Sequence, residues 1–426
     1  MKKILFSALF GVEGRRERIA FLEKIQPHLA DDYTLVAFNT SAEIEADIAV
    51  INTSTHLKPG LGDIEEAFAQ LVNETCPDQR DTLMAHTWGE AASAPAKYIS
   101  NLTRHIRLTR SFLAALDEHT PGYVFLWNQF NALHRHFAHI LDARGIDYGF
   151  FHDGLLPGSV ALDFDGEMGE SWISKDPGKF QDIPVSPEDH ARAATFLETL
   201  RARNIERHVQ VDEICVEDAL EAIKKHDRPI VFYAGQVDWH AGISPDGPAR
   251  LCHSPHYTST IDALAHLDEV AGQLGVFVIF KPHPISREKY TFLQADDYPN
   301  TLILGSATLD SCIDAADIVA TIASQTSYVA LMAGKPVMML GRNQLTGKDL
   351  TYDLTHKDAL ADLILRALDD PLAQTRTTAL ADHVARLEQA YLFDFDTLDI
   401  PFYRCDAASA AKAIAATLEN GVTPTK

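Results

Sequence analysis

Along the chain, short runs of apolar and β-branched residues alternate with longer stretches whose apolar positions recur at helical spacing. The runs fall at residues 3–8, 34–38, 48–51, 123–127 and 147–151, and again at 230–233, 276–280, 301–304, 318–321 and 337–340. Most are continuously apolar rather than alternating, the pattern of strands buried on both faces of a parallel sheet covered by helices. They form two groups. Between the groups lies a proline-rich passage, Pro177, Pro184 and Pro187, where Ser186 is suited to cap a helix with Pro187 in its first turn. The pattern predicts an α/β chain of two domains, residues 1–185 and 186–404, with the helical stretch 188–225 compatible with either half. Residues 405–426 hold an Ala-rich helix, 407–418, placed to cross back to the first domain.

The length of 426 residues exceeds the ~250–300 over which a single core keeps growing, which agrees with two domains. With 60 Asp and Glu against 37 Lys and Arg, the net charge of −23 repels nucleic-acid phosphates and anionic lipid, so no nucleic-acid partner is expected. Five cysteines, Cys76, Cys215, Cys252, Cys312 and Cys405, are scattered without a Cys-x-x-Cys. They indicate neither a disulfide framework nor structural zinc, and they fit a reducing cytoplasm. The opening Lys3-Ile4-Leu5-Phe6 runs into Glu13, Arg15 and Arg16 rather than a small-residue cleavage site, and reads as a first buried strand. No run approaches the ~18 continuous apolar residues of a membrane span, so at most peripheral association with the inner membrane is expected.

Candidate chemistry gathers where strands end. Lys281-Pro282-His283-Pro284 closes the run 276–280, and its prolines favour a stiff, non-helical turn. In open α/β sheets ligands bind at the carboxyl ends of strands, and an ammonium beside an imidazole suits a phosphate or carboxylate. A rigid connection with two solvated residues is the other reading. After the run 230–233 comes Ala234-Gly235-Gln236-Val237-Asp238; after 318–321 comes Ser324-Gln325-Thr326-Ser327, whose hydroxyls either serve a phosphate or cap their own helix. Ala333-Gly334-Lys335-Pro336-Val337 then opens the next strand, and in the first half the run 147–151 leads into His152-Asp153-Gly154. Asp238 and Asp153 each suit a turn as well as a catalytic role.

In their order, several segments resemble bacterial capsule and lipopolysaccharide polysaccharide synthesis proteins, and among these the retaining β-Kdo transferases. The segments are Trp127-Asn128, Asp153-Gly154-x-x-Pro157-Gly158 with Asp163-x-x-Gly166, Gly235-Gln236-Val237-Asp238, Lys281-x-His283-Pro284, Thr321-x-x-Ser324 and Ala330-Leu331-x-x-Gly334-Lys335-Pro336-Val337. The resemblance covers residues 123–340, roughly half the chain. It implies a GT-B-like fold, two Rossmann-like domains with a cleft between them, and a glycosyltransferase that uses CMP-Kdo without a metal or other cofactor. The sugar nucleotide would lie on the second domain and an oligosaccharide or glycolipid acceptor on the first. The resemblance implies Asp238 as nucleophile and Asp153 as acid/base in the place of the family's glutamate. It implies donor binding by Gln236, Lys281, His283, Ser324, Gln325, Thr326, Ser327 and Lys335, and acceptor binding by Asn128, His152 and Gly154. Two successive displacements are one physical route to retention, and a cation at the departing phosphate stabilises the charge that develops there.

Two departures matter. The family's Thr-x-Asn-Ser-x-x-Gly-x-Glu-Ala reads Thr321-Ile322-Ala323-Ser324-Gln325-Thr326-Ser327-Tyr328-Val329-Ala330, without the asparagine, glycine and acid. Asp153 also draws its carboxylate back by one methylene, ~1.5 Å. A different nucleotide sugar, a sugar-nucleotide epimerase and a non-catalytic glycan-binding component of capsule assembly are the rival readings. Asp163-Phe164-Asp165 and Asp394-Phe395-Asp396 mimic a metal-binding Asp-x-Asp but sit in turn-like surroundings. His134, His136 and His139 lie on one expected helix and read as a buried or solvated face rather than a zinc site; His253 and His256 fall in a loop. Arg104, Arg107 and Arg110 read as a solvated helix face, with a phosphate-binding or membrane-facing surface as the alternative.

Overall fold

The computed structural model describes residues 2–7, 15–29, 33–39, 46–52, 64–91, 95–202, 216–225, 227–247, 249–284, 293, 295–394, 402 and 407–420. The chain divides into two compact units, Met1–Glu167 with Leu387–Lys426, and Met168–Arg386.

The first unit holds β1 (Lys2–Ser7), β2 (Tyr33–Asn39), β3 (Ala49–Asn52), β4 (Tyr123–Leu126), β5 (Tyr148–Asp153), β6 (Ser159–Asp163) and β13 (Leu392–Asp394). Their order in the sheet is β13-β6-β5-β4-β1-β2-β3. β1 to β5 are parallel; β6 folds back antiparallel on β5, and β13 lies antiparallel on β6. Because successive strand residues face opposite sides, each strand feeds two cores. Leu35, Ala37, Tyr123, Phe125 and Phe151 pack with Leu22 and Ile25 of the Arg15–Ile25 helix and with Ala410 and Ile414 of the Ala407–Asn420 helix. Val36, Phe38, Val124, Leu126 and Phe150 face the other way, onto Leu108 and Phe112 of the Pro95–His119 helix and Phe137 and Ile140 of the Ala132–Arg144 helix. Phe112 and Phe137 stack there at 4.0 Å, and truncating either to alanine should cost about 3–5 kcal/mol.

The proline-rich passage lies inside the second unit rather than ahead of it. Phe180 packs against His383 at 5.2 Å, and Arg386 Nε donates to the Ile183 carbonyl at 3.0 Å, which ties Pro177 and Pro184 to the end of that unit. The chain rejoins the first unit at Leu387, where β13 supplies the edge partner of β6 and the terminal helix covers one sheet face.

The second unit holds β7 (Ile230–Ala234), β8 (Phe277–Lys281), β9 (Thr301–Ile303), β10 (Ile318–Thr321), β11 (Val337–Met339) and β12 (Tyr352–Asp353). All are parallel, in the order β12-β11-β10-β7-β8-β9. Counted within the unit this is the doubly wound 3-2-1-4-5-6 arrangement of dinucleotide-binding sheets. Val231, Tyr233, Val278, Phe280, Ala320 and Met338 share one face with Leu264, Leu267 and Ala271 of the Thr260–Leu274 helix. The fold is therefore α/β and GT-B-like, with two Rossmann-like units.

All ten expected strands are present. β6, β12 and β13 are additional, and β8 runs on through Lys281, so the proline turn begins one residue later than the pattern suggested. Ala8 of the first run, residues 203–215 of the helical stretch, and Cys215 and Cys405 lie outside the described residues. Among the described residues no helix is long and apolar enough to cross a membrane.

Candidate functional site

In the second unit the strand order reverses at β7, which has β8 on one side and β10 on the other. Crevices at the carboxyl ends of strands at such a switch point bind ligands in this fold. The exit from β7 is tightly built. Gly235 donates its N–H to the Lys281 carbonyl at 2.9 Å, and a Cβ on Gly235 would stand 2.9 Å from that oxygen and 3.0 Å from the Phe280 ring. Gln236 follows, 3% exposed. Its Oε1 accepts the Ala323 N–H at 3.1 Å, tying the exits of β7 and β10 together, while its Nε2 has no hydrogen-bond partner among the described residues. A buried amide left without an acceptor costs about 1–3 kcal/mol, so its donor calls for a group that is brought to it.

Asp238 begins the short turn Asp238–His240 and is half-buried. The Thr260 N–H donates to its two carboxylate oxygens at 3.1 Å each, and the Thr260 hydroxyl donates to Oδ1 at 2.5 Å. Thr260 opens the Thr260–Leu274 helix, whose Ser259 cap accepts the Asp262 N–H at 3.0 Å. The carboxylate thus lies at the positive end of a helix dipole, with Thr260 holding both of its oxygens. The Asp238 carbonyl accepts the N–H groups of Ile243 and Ser244, each at 3.1 Å, which fixes the loop beyond it.

Lys281, 5% exposed, ends β8 beside Ala234, and the half-buried His283 follows Pro282. The ammonium is carried inward by the strand itself, and the prolines set only what comes after. At the β10 exit the hydroxyls largely serve each other. Ser324 Oγ accepts the Thr326 N–H at 3.2 Å and donates to Thr326 Oγ1 at 3.0 Å. Ser327 Oγ donates to the Ser324 carbonyl at 2.8 Å and accepts from Asn343 Nδ2 at 3.2 Å. Gln325, half-buried, accepts the Tyr328 N–H at 2.9 Å through its carbonyl. The row opens the short Thr326–Met332 helix, with the Ser324 hydroxyl on the Thr326 N–H, and stands at the same sheet edge as Gln236 and Lys281. Lys335 does not join them. Its Nζ donates to the Ala316 carbonyl at 2.7 Å, ahead of β10 and β11, which is the amino edge of the sheet.

In the first unit, Asn128 leaves β4 with φ +113° and its Oδ1 accepts the N–H groups of Phe130 (2.7 Å) and Asn131 (3.1 Å), so the side chain builds its own turn. Next to it, Gln129 and Glu167 clasp reciprocally: the Gln129 N–H donates to Glu167 Oε1 at 2.6 Å, and the Glu167 N–H to Gln129 Oε1 at 2.6 Å. Asp153, exposed, ends β5. The preceding residue, His152, is 6% exposed; its Nδ1 donates to the Asp153 carbonyl at 2.9 Å and lies 4.0 Å from Glu167 Oε2. Gly154 pairs with the Ser159 carbonyl at 2.9 Å, and a Cβ there would fall 2.0 Å from Ser159 Oγ, so the hairpin admits only glycine. Asp163 is fully buried, accepts the N–H groups of Asp165 (2.9 Å) and Gly166 (3.2 Å), and has its carboxyl pushed up to about 7 by burial.

The structure brings Gln236, Asp238, Lys281, His283 and the Ser324–Ser327 row to one edge of the second sheet, and Asn128, His152, Asp153 and Gly154 to the strand exits of the first. Sequence reasoning passed over Gln129, Glu167, Thr260 and Asn343. Each lies in a turn or at a helix start remote in sequence from the group it holds, and nothing local marked it.

The remaining candidates resolve plainly. His136 is buried, with Nδ1 3.0 Å from His105 Nε2 and Nε2 2.7 Å from Thr75 Oγ1, and burial pushes its pKa down to about 3. His134 is buried and His139 half-buried. His256 Nε2 donates to the Leu354 carbonyl at 3.0 Å, and buried His253 lies 3.9 Å from the Glu170 carboxylate. Among the described residues no group of three or more His, Cys, Asp or Glu is arranged to hold a metal ion. Asp394 ends β13, while Phe395 and Asp396 lie outside the described residues. Arg104 and Arg110 are exposed and Arg107 half-buried on the Pro95–His119 helix.

No family model matches the chain, and no curated protein is a significant match to it. Among solved structures it is similar to the KpsC β-Kdo 2,7-transferase of Thermosulfurimonas dismutans, at 14% identity and a TM-score of 0.46 over 97% of this chain and 98% of that one. It is similar to the UDP-GlcNAc 2-epimerase of Methanocaldococcus jannaschii, at 13% and 0.38 over 98% of this chain and 99% of that one. It is also similar to the trehalose 6-phosphate synthase of Burkholderia multivorans, at 10% and 0.44 over 99% and 98%. With identities this low and TM-scores below 0.5, these likenesses carry no functional argument, and the fold class rests on the two sheets themselves.

Proposed function

We propose that the chain is a retaining glycosyltransferase that moves Kdo or a related ulosonic acid from its CMP derivative to an oligosaccharide or glycolipid acceptor of a surface polysaccharide. The observation that carries this reading is Gln236, a buried amide at the switch point whose Nε2 has no acceptor among the described residues, two residues before a carboxylate oriented by a helix start. In the first displacement Asp238 adds to the anomeric carbon and CMP departs with the bonding pair. Gln236, Lys281, His283 and the Ser324–Ser327 edge hold the donor, and Lys281 offsets the charge on the departing phosphate. In the second, the acceptor hydroxyl displaces Asp238 and surrenders its proton to a general base, for which the family resemblance points to Asp153. The reaction so written uses no metal or other cofactor. Such an enzyme would work in the cytoplasm with at most peripheral membrane contact.

A thermal-shift panel of CMP, UDP, GDP and dTDP tests the donor. A ligand selective for the native state adds RT ln(1 + [L]/Kd), about 2.7 kcal/mol at a hundredfold excess over Kd. CMP should give the largest shift. A response to UDP with none to CMP overturns the donor and favours another transferase or an epimerase, and glycan binding without any nucleotide response favours a non-catalytic assembly component.

A further inference from the structure

His152 combines four features that no ordinary core histidine needs together. Its side chain is 8% exposed. Nδ1 is committed as a donor, because its partner at 2.9 Å, the Asp153 carbonyl, can only accept. A carboxylate oxygen of Glu167 lies 4.0 Å behind that same nitrogen, and Glu167 is itself immobilised by the two 2.6 Å bonds of its clasp with Gln129. Finally, Nε2 has no hydrogen-bond partner among the described residues. A buried N–H without a partner is rarer than a buried lone pair, so the neutral ring carries its proton on Nδ1 and its lone pair on Nε2. This is the arrangement of a general base with an orienting group and a carboxylate ready to stabilise the imidazolium.

The surroundings agree. In the β5–β6 hairpin His152 pairs with Ala161, and Asp163 lies two residues farther along the same face. Asp163 Oδ2 likewise has no hydrogen-bond partner among the described residues. The Tyr391 ring stands 6.5 Å from the imidazole. Among the described residues, titratable groups that face His152 are Glu167, Asp163 and Tyr391, and Asp153 touches it through its backbone carbonyl.

We infer that His152, rather than Asp153, takes the proton of the acceptor hydroxyl, with Glu167 and Gln129 as the residues that position it. The inference rests on the transferase reading above. As the acceptor oxygen bonds to the anomeric carbon, the bond to Asp238 breaks and its electron pair returns to that carboxylate. The acceptor O–H breaks at the same step, and its proton goes to Nε2, giving an imidazolium beside the Glu167 carboxylate.

The test uses the full chain with CMP-Kdo as donor, water as acceptor, and sodium azide as a nucleophile that needs no base. His152→Gln should lower CMP release by about 100-fold or more, and azide should restore it with formation of a glycosyl azide. Asp153→Asn should stay within about 10-fold of the parent, and Asp238→Asn should show no azide rescue. Rescue of Asp153→Asn with none for His152→Gln overturns the inference, as does full activity of His152→Gln. A second measurement needs no turnover: the imidazole 15N spectrum of His152, assigned by its loss in His152→Gln. The Nδ1–H tautomer is expected, and its share should fall in Glu167→Gln. An Nε2–H tautomer, or a tautomer balance indifferent to Glu167, overturns the inference even if CMP-Kdo proves not to be the donor. Melting temperatures of the variants separate loss of a base from loss of fold.

Discussion

The strand exits of the two units solve one problem in opposite ways. In the second unit the polar groups are bound to each other: Gln236 bridges β7 to β10, Thr260 grips Asp238, and the Ser324 hydroxyl takes the Thr326 N–H, while the Gln236 Nε2 at this exit has no hydrogen-bond partner among the described residues. In the first unit Asp153 stands exposed at the end of β5 while the buried polar atoms, His152 Nε2 and Asp163 Oδ2, lie behind it on the hairpin face. A carboxylate that must attack carbon gains from being aimed, whereas a group that exchanges a proton gains from a lone pair kept out of water. On the proposed reaction, the difference between the exits matches the difference between those two tasks.

The largest effect that would break this comparison is at the two aspartates. Asp238→Asn should lower CMP release from CMP-Kdo by more than about 1,000-fold, whereas Asp153→Asn should cost about 10-fold or less. Equal losses would mean that exposure at the end of β5 conceals a role as demanding as that of Asp238.

The buried ionisable groups of the two units should pull stability in opposite directions with pH. Burial raises Asp163 in the first unit from 3.8 to about 7, so between those values the unfolded chain has released a proton that the folded chain keeps, and stability falls as pH rises. Burial lowers Lys348 in the second unit from 10.5 to about 7, despite the neighbouring Asp353, so between about 7 and 10.5 the unfolded chain holds the extra proton and stability rises with pH. At about 1.4 kcal/mol per pKa unit each dependence amounts to a few kcal/mol. Asp163→Asn and Lys348→Met should each flatten its own window in denaturant titrations across pH, and Lys348→Met should raise the melting temperature at pH 7.

Thr260→Val sharpens the comparison from the other side. It removes the hydroxyl at 2.5 Å while the backbone N–H still reaches Asp238, so activity should drop about 10-fold with about 1 kcal/mol of stability, and Thr260→Ser should restore both. The smallest effect belongs to Lys335→Ala. Because this lysine serves the helix end at the amino edge, the substitution should cost about 0.5–1 kcal/mol of stability and leave nucleotide affinity unchanged; a 10-fold weaker CMP affinity would return Lys335 to the donor site.

Much of the scaffold was legible because parallel strands buried on both faces are continuous apolar runs. Ile230-Val231-Phe232-Tyr233 and Ile318-Val319-Ala320-Thr321 announce themselves, and glycine and proline punctuate their exits. Three strands escaped. β12 has two residues, and β13 is Leu392-Phe393-Asp394 pairing with a hairpin far back in the sequence. β6, Ser159–Asp163, folds straight back antiparallel on β5, where the alternating pattern predicts no further strand. The site divides along the same line. Gln236, Asp238 and Lys281 follow strands directly and could be read from the chain, whereas Thr260 and Glu167 act on groups that only folding brings near. Lys335 carried its own warning, since a residue just before a parallel strand lies at the amino edge, away from the ligand end.

What CMP-Kdo leaves on the protein tests the role of Asp238 most directly. In a rapid acid quench followed by peptide mass spectrometry, we predict one sugar residue covalently held on the peptide containing Asp238, appearing before transfer and absent from Asp238→Asn. Turnover with retention but no adduct, or an adduct on a peptide without Asp238, would contradict the account.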